Sequence, residues 1–551
     1  MPQLLQYGGE FRSPYEALKA QACATPDATF LLAPAAAELA YAPDGFAYRY
    51  GEALAHIEAL RAAYAAAGYG HGACVALLLE NRPEFFWHWL ALNALGVAIM
   101  PINPELRRED LAYQLAVAEP HLAVALPETH ALIAKAWGGK ARFIAPDDAP
   151  PACRRKVTRQ TGTLDDPCAL LFTSGTTAKP KCCVLSNDYF LRIANWYVAQ
   201  GGVASMKDGA EIVLTPLPMF HMNALGCTVV GMILNGGAVV PIDRFHARRW
   251  WRTVKDSKAT VIHYLGVMPA ILLRLEREAI DTGHKVRFGF GAGVDPRHQE
   301  TFEQRFGFPL IEAWAMTETG AGAVTSTAAG PRHVGQRCIG RPAPGMEYRI
   351  VDNEGVDVTR GMAGELLVRQ EGESRVGFFT EYLKDPATTA EAWAGGWFHT
   401  GDVVTEGPDS SLFFVDRKKN IVRRSGENIA VIEVEGVLAN LDGITSVAVA
   451  PVPDEVRGEE VFALIVPSAM PHDASSATTL AEQIARACAE RLAYYKVPGH
   501  IAFAPAIPIT ATQKLQRGTI KTIAVQALGA PGTIDLRAFK ANLRQREKAG
   551  A

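Results

Sequence analysis

The sequence predicts an α/β protein in which a large N-terminal domain of layered αβ subdomains is followed by a small α+β C-terminal domain. Three observations predict it. Short apolar runs alternate with helical patterns, the mark of α/β layers with much parallel pairing. Near residue 340 the texture changes to hairpin-like strands with Asn/Gly turns. A charged segment between two apolar strands, "SLFFVDRKKNIVRRSGENIAVIEVEGVLANL" (411–441), then reads as a domain boundary near Lys419.

The elements follow in order. "CVALLL" (74–79), "CALLF" (168–172), "EIVLTPLP" (211–218) and "ATVIHYL" (259–265) are expected as strands. "EDLAYQLAVA" (109–118), "NDYFLRIANWYV" (187–198) and "PAILLRLEREA" (269–279) are expected as helices, the second capped by Ser186 or Asn187. "EYRIVDNEG" and "AGELLVRQEG" (363–372) are hairpin strands, and "SAMPHDASSATT" (468–479) is a surface loop. The expected domains are 1–418 and 419–525, with a polar, basic tail over 526–551.

Bulk properties exclude several classes. The 55 basic and 58 acidic residues leave no basic footprint, which argues against nucleic acid. No apolar stretch is long enough for a membrane span, and the N-terminus lacks a signal-peptide pattern. Nine scattered cysteines without a CxxC pair argue against a disulfide framework or a zinc site and fit a reducing compartment, so the cytoplasm is expected.

The most chemically loaded stretch is "LLFTSGTTAKPKCCVLS" (170–186). A buried strand feeds a loop in which Thr173, Ser174, Thr176 and Thr177 offer donors and Lys181 supplies charge, with a helix expected beyond. Backbone amides, hydroxyls and a lysine at a strand end form an anion cradle. The loop lacks the GK[ST] ending of a Walker A motif. Cys182 and Cys183 have no acid or histidine motif around them and are expected to back the loop as small hydrophobes.

This loop resembles the phosphate loop of the acyl-adenylate-forming superfamily, which includes acyl-CoA synthetases. Six further segments resemble that family in order: "PLPMFHMNA" (216–224), "GFGAGVDP" (289–296), "EAWAMTETG" (312–320), "GWFHTGDVV" (396–404), "VDRKKNIVRRSGENIAVIEVE" (415–435) and "ITATQKLQR" (509–517). The likeness spans about residues 15 to 520 and is strongest to the CoA ligases for carnitine/crotonobetaine and for fatty and aryl acids. It implies a β-barrel-like subdomain in the large domain and a mobile C-terminal domain pivoting at Lys419. It also implies a two-step reaction: a carboxylate attacks the α-phosphorus of ATP, and a thiol then displaces AMP.

The resemblance assigns expected roles residue by residue. Thr173, Ser174, Gly175, Thr176, Thr177 and Lys181 would hold the β- and γ-phosphates; Thr317 would touch the α-phosphate and Glu318 would bind Mg²⁺. Gly291, Ala292 and Gly293 would flank adenine opposite Trp314, while Asp402 would accept from the ribose hydroxyls and Arg417 would donate to the ribose or phosphate. His221 would border the acyl pocket, Lys514 would act in adenylation, and Gly426 would line the pantetheine tunnel. The cofactors implied are ATP, Mg²⁺ and coenzyme A as co-substrate. The partners are a small carboxylic acid, ATP and CoA, with a homodimer left open. Four family glycines are replaced, by Ala178, Cys182, Ala315 and Gln513. No carrier domain is expected after residue 551, and free CoA is therefore the expected acceptor. Loading of a separate carrier protein and a non-catalytic binding role stay open, as does the choice among aliphatic, aryl and betaine acids.

Overall fold

The computed structural model describes residues 10–106, 108–154, 157–173, 180–372, 375–424, 427–454, 457–509, 515–540 and 542. Among these, three sheets organise the chain. The longest has 13 strands. At its centre Ala238–Pro241, Ile212–Thr215, Val261–Leu265, Phe288–Ala292 and Leu310–Trp314 pair in parallel. Beyond Leu310–Trp314 the pairing turns antiparallel through Cys338–Pro342, Leu412–Arg417, Phe398–Glu406, Gly364–Gln370 and Met346–Val351. The barrel-like portion expected from the resemblance is thus an antiparallel meander continuous with one side of this sheet.

The second sheet has seven strands, with Cys74–Leu78, Ala98–Pro101, Leu122–Ala125 and Pro167–Thr173 parallel at its centre. Helices Pro83–Ala94 and Asn187–Val198 bury Phe86, Trp89, Leu90, Tyr189, Phe190 and Tyr197 in one core shared with both sheets. Fully buried parallel strands read as continuous apolar runs, which is why 74–79 and 168–172 are legible. Ser186 caps the second helix, its side chain accepting from the Tyr189 amide.

The third sheet has six strands and belongs to the small α+β unit. The hairpin Ile421–Arg424 and Glu427–Ala430 lies at one side of it, followed by Gly458–Pro467, His500–Phe503 and Thr533–Asp535. Leu412–Arg417 pairs in the large sheet and Ile421–Arg424 in the small one, so the turn Lys418–Asn420 joins the two. We propose the domain boundary there.

Four expectations are corrected. The loop expected within 170–186 does not extend to Ser186: Lys181–Ser186 is itself a strand, antiparallel to Pro167–Thr173, with Thr173 opposite Lys181, and the expected helix follows it as Asn187–Val198. The β-branched and thiol side chains of "CCVL" satisfy a two-faced buried strand, with Cys182 and Cys183 in different cores. The helix expected over 269–279 is Val267–Leu273. It stops because the buried Arg305 guanidinium donates to the carbonyls of Leu273, Leu275 and Glu276, a competing set of partners. The loop expected over 468–479 already contains the start of helix Ala474–Ala489, opened by the reciprocal Asp473–Ser476 capping box. The tail expected from 526 includes strand Thr533–Asp535, paired with His500–Phe503, then buried Leu536 and Lys540.

Candidate active site

The large central sheet ends its parallel run at Ala292 and Trp314, and a cavity of about 1480 Å³ opens there. Ligands of open parallel sheets bind beyond the carboxyl ends of the strands, so the location follows from topology. Ala292, Gly293, Trp314, Thr317 and Glu318 line one side. Thr173 and Lys181, from the root of the hydroxyl-rich loop, line another. Asp402 and Arg417 enter from the antiparallel meander, where they face each other across paired strands. His221 borders the cavity just before the π-helix Asn223–Val230, a wide helix type found often at functional sites.

Local geometry ties these side chains together. Asp402 is buried, and such a carboxylate needs partners to stay charged. The Trp314 indole donates to its Oδ2 at 2.8 Å, and Arg417 Nε stands 3.3 Å from its Oδ1. Trp314 is therefore a cavity wall whose ring plane is fixed by the same carboxylate expected to hold a ribose. The Glu318 carboxyl is also buried and accepts the Tyr382 hydroxyl at 3.0 Å. Burial pushes Glu318 above the ordinary carboxylate range, opposed by Tyr382, Arg417 and Lys181. The Lys181 ammonium lies 4.7 Å from the Tyr382 ring centroid, a cation–π contact.

Gly293 has φ of +78° and open space where a Cβ would stand, so both its conformation and the room beside it suit a ligand. Its amide donates to Glu312 at 2.7 Å, and the same buried carboxylate accepts from Val294 and Tyr264. Gly291 lies outside this wall. It is buried mid-strand, where a Cβ would meet Tyr264.

The remaining candidates, Ser174, Gly175, Thr176, Thr177, Gly426 and Lys514, lie outside the described residues, as do Ala178 and Gln513. The ends of the Lys514 segment are placed: Ile509 bridges Leu515. Two residues on, Arg517 makes a paired contact with Glu435 at 2.5 and 2.7 Å, and Glu435 lines the cavity. The glycine losses at Cys182 and Ala315 carry no strain, since neither residue adopts a positive φ. Burial lifts the Cys182 thiol to about 12 and raises that of Cys183 as well, which disfavours the reactive thiolate form of both.

Sequence reasoning missed Tyr382, Glu312 and the Lys418–Glu365 pair, whose Nζ–Oε2 distance is 2.5 Å and whose members both line the cavity. Tyr382 stands 64 residues from Glu318, and nothing in "EYLKDP" marks it. Glu312 had a signal, a carboxylate inside an apolar strand, which demands buried partners.

One side of the cavity belongs to the large unit, and Ile432, Glu435 and Val447 of the small unit complete it. Such an arrangement defines a two-domain, nucleotide-binding enzyme. The family model of AMP-binding enzymes matches residues 18–376, and the AMP-binding enzyme C-terminal domain matches 433–514. The chain belongs to the AMP-binding enzyme family. It is 28% identical over 474 residues to the crotonobetaine/carnitine–CoA ligase of Escherichia coli O157:H7 (strain EC4115 / EHEC), covering 82% of this chain and 89% of that one. Two solved structures share its fold. One is o-succinylbenzoate CoA synthetase (MenE) of Bacillus subtilis with the acyl-adenylate intermediate OSB-AMP, at TM-score 0.77, 22% identity and coverage of 93% and 98%. The other is the same enzyme with ATP and magnesium ion, at TM-score 0.75, 22% identity and coverage of 92% and 99%.

Proposed function

We infer that the protein is an ATP-dependent, AMP-forming acid–thiol ligase that converts a small carboxylic acid into its CoA thioester. The observation that carries this reading is the single cavity joining Lys181, Thr317 and Glu318 to Trp314, Asp402 and Arg417. A cation, a hydroxyl and a carboxylate for a triphosphate stand beside an indole, a carboxylate and a guanidinium for a nucleoside.

The roles follow from the chemistry. An oxygen of the substrate carboxylate attacks the α-phosphorus, and pyrophosphate leaves. Lys181 and Thr317 meet the phosphate charge, and Lys514 meets the charge that develops on the oxygens of the α-phosphate. Asp402 accepts from the ribose hydroxyls with its geometry held by Trp314 and Arg417. Glu318 suits Mg²⁺, which takes few protein oxygens beside phosphates and water; bound there it would neutralise phosphate charge. In the second step the CoA sulfur attacks the acyl carbon, AMP leaves, and the thiol proton passes to solvent.

Among the described residues no helix is long and apolar enough to cross a membrane. All nine cysteines are free, which supports a reducing setting, and we propose the cytoplasm.

The test is pyrophosphate release from the full chain with ATP and Mg²⁺ across butanoate, octanoate, benzoate and crotonobetaine, each with and without CoA. The expected outcome is release that depends on one acid class, with AMP and a CoA thioester formed. Adenylate that CoA never discharges for any acid that is activated would overturn the reading.

A further inference from the structure

Tyr382 stands between two groups that the proposed reaction uses, and the reading above gives it no task. It is 5% exposed. Its hydroxyl donates to Glu318 Oε1 at 3.0 Å, and its ring centroid lies 4.7 Å from the Lys181 ammonium. Glu318 follows strand Leu310–Trp314 of the 13-stranded sheet, and Lys181 opens strand Lys181–Ser186 of the seven-stranded one. One aromatic residue thus touches a carboxylate placed by one sheet and a cation placed by the other. All three side chains line the cavity.

The backbone around Tyr382 is fixed from both sides. Strand Glu381–Tyr382 pairs antiparallel with Lys181–Ser186, Tyr382 opposite Cys183. The Thr380 amide donates to the Val184 carbonyl at 2.9 Å and the Leu383 amide to the Cys182 carbonyl at 2.8 Å. Toward the other sheet, the Phe379 amide donates to the Glu318 carbonyl at 2.9 Å. The Tyr382 amide donates to the Thr389 hydroxyl at 3.0 Å, on helix Pro386–Ala392. Its ring packs on Phe379 at a centroid distance of 4.7 Å. A phenylalanine would fill this place equally well, without a hydroxyl to desolvate. The hydroxyl therefore answers to Glu318 and not to packing. An ionised carboxylate offers about four lone-pair sites, so one phenol donor orients it and leaves capacity for a cation. The ring does the same for Lys181, whose ammonium sits on a flexible stem and gains a fixed place at an aromatic face.

We propose that Tyr382 is a positioning residue for the magnesium-bound triphosphate: its hydroxyl sets the Glu318 carboxylate for the metal, and its ring sets Lys181 for the phosphates. The two contacts divide the work. The hydroxyl matters only where Mg²⁺ is present, whereas the ring matters to the triphosphate with or without it. Neither contact involves the nucleoside wall, where Trp314 and Asp402 hold each other through their own hydrogen bond. The proposal rests on the ligase reading and on Glu318 as the metal carboxylate.

The experiment is isothermal titration calorimetry of the full chain, without acid or CoA, against three probes: AMP, ATP with EDTA, and ATP with Mg²⁺. Tyr382→Phe keeps the ring and removes the donor. It is expected to raise the Kd for ATP with Mg²⁺ about tenfold, the loss of one hydrogen bond to a charged group. The Kd values for AMP and for metal-free ATP are expected to stay within about twofold of wild type, since those contacts are separate. Tyr382→Leu removes the ring as well and is expected to raise the Kd for metal-free ATP about fivefold, with AMP again within about twofold. Tyr382→Phe decides the proposal by itself should Tyr382→Leu fold poorly. Parallel weakening of AMP and ATP in Tyr382→Phe, or no selective loss with Mg²⁺, would overturn the proposal. A wild-type chain that binds neither AMP nor ATP would instead overturn the ligase reading, a result visible without any variant.

Discussion

Two buried carboxylates in the small unit, Glu435 and Glu460, hold arginines 93 residues apart in the sequence, Arg517 and Arg424. The first faces the cavity and has one cation; the second is sealed away from solvent and has two. Glu435 also accepts from the Val449 amide at 2.7 Å, so it joins helix Val431–Leu438, strand Ile444–Asp454 and the root of the Lys514 segment. Glu460 joins the hairpin 421–430 to the C-terminal segment. One domain thus carries two buried carboxylates that tie distant segments together, Glu435 on the cavity and Glu460 away from it. The difference teaches that a carboxylate on a cavity wall is held by one guanidinium and a backbone amide, whereas one sealed from solvent takes two cations to offset its desolvation.

The strongest way to break this comparison is Lys514→Ala. Adenylation is expected to fall about 10²–10³-fold, the size seen when a charge-stabilising donor is removed. Thioester formation from supplied acyl-adenylate should stay within about twofold of wild type. A rapid-quench assay of both half-reactions reads the split, and proportional loss of both would remove Lys514 from the first step.

A smaller effect is expected from Glu435→Gln. The half-buried Arg517 loses its counter-charge, and removing one member of such a pair costs about 3 kcal/mol in urea-induced unfolding. Adenylation should fall about tenfold while thioester formation changes less, since Arg517 follows the Lys514 segment directly. If Glu435→Gln instead slows only the thioester step, Glu435 does not hold the Lys514 segment for adenylation.

The smallest effect concerns pH. Lys540, with Glu460, Arg424 and Arg457 as its charged neighbours, sits at about 8 in the folded chain against 10.5 for an ordinary lysine. Between those values the unfolded chain binds the extra proton, so the wild type should gain stability relative to Lys540→Met as pH rises through that window. The expected slope approaches about 1 kcal/mol per pH unit, readable from urea melts at pH 7.5 and 9.5. A flat difference would mean that Glu460 fully offsets the desolvation.

Much of the site was legible in the residues, for identifiable reasons. The motifs that resemble the adenylate-forming family singled out Trp314, Thr317, Glu318, Asp402 and Arg417, and all of them line the cavity. Gly291 was read as a ligand neighbour, whereas its missing Cβ answers to Tyr264 on the next strand. Tyr382 was invisible because a tyrosine beside a capped helix is an ordinary packing residue until its hydroxyl is seen on Glu318. The C-terminal segment was misread because only three of its residues form a strand, and its buried lysine looks like any surface lysine.

What the sequence determined by itself were the local matters. Continuous apolar runs made buried parallel strands, Ser186 began a helix, and a charged turn at Lys418–Asn420 parted two sheets. Each of these rests on neighbours along the chain, where periodicity and capping act. The tertiary structure alone decided the long-range pairings: Trp314 with Asp402, Tyr382 with Glu318, Arg305 against the end of helix Val267–Leu273, and Lys540 with Glu460. Those are contacts between charges and dipoles brought together from distant segments. Their strength comes from a low-dielectric interior that exists only once the chain has folded.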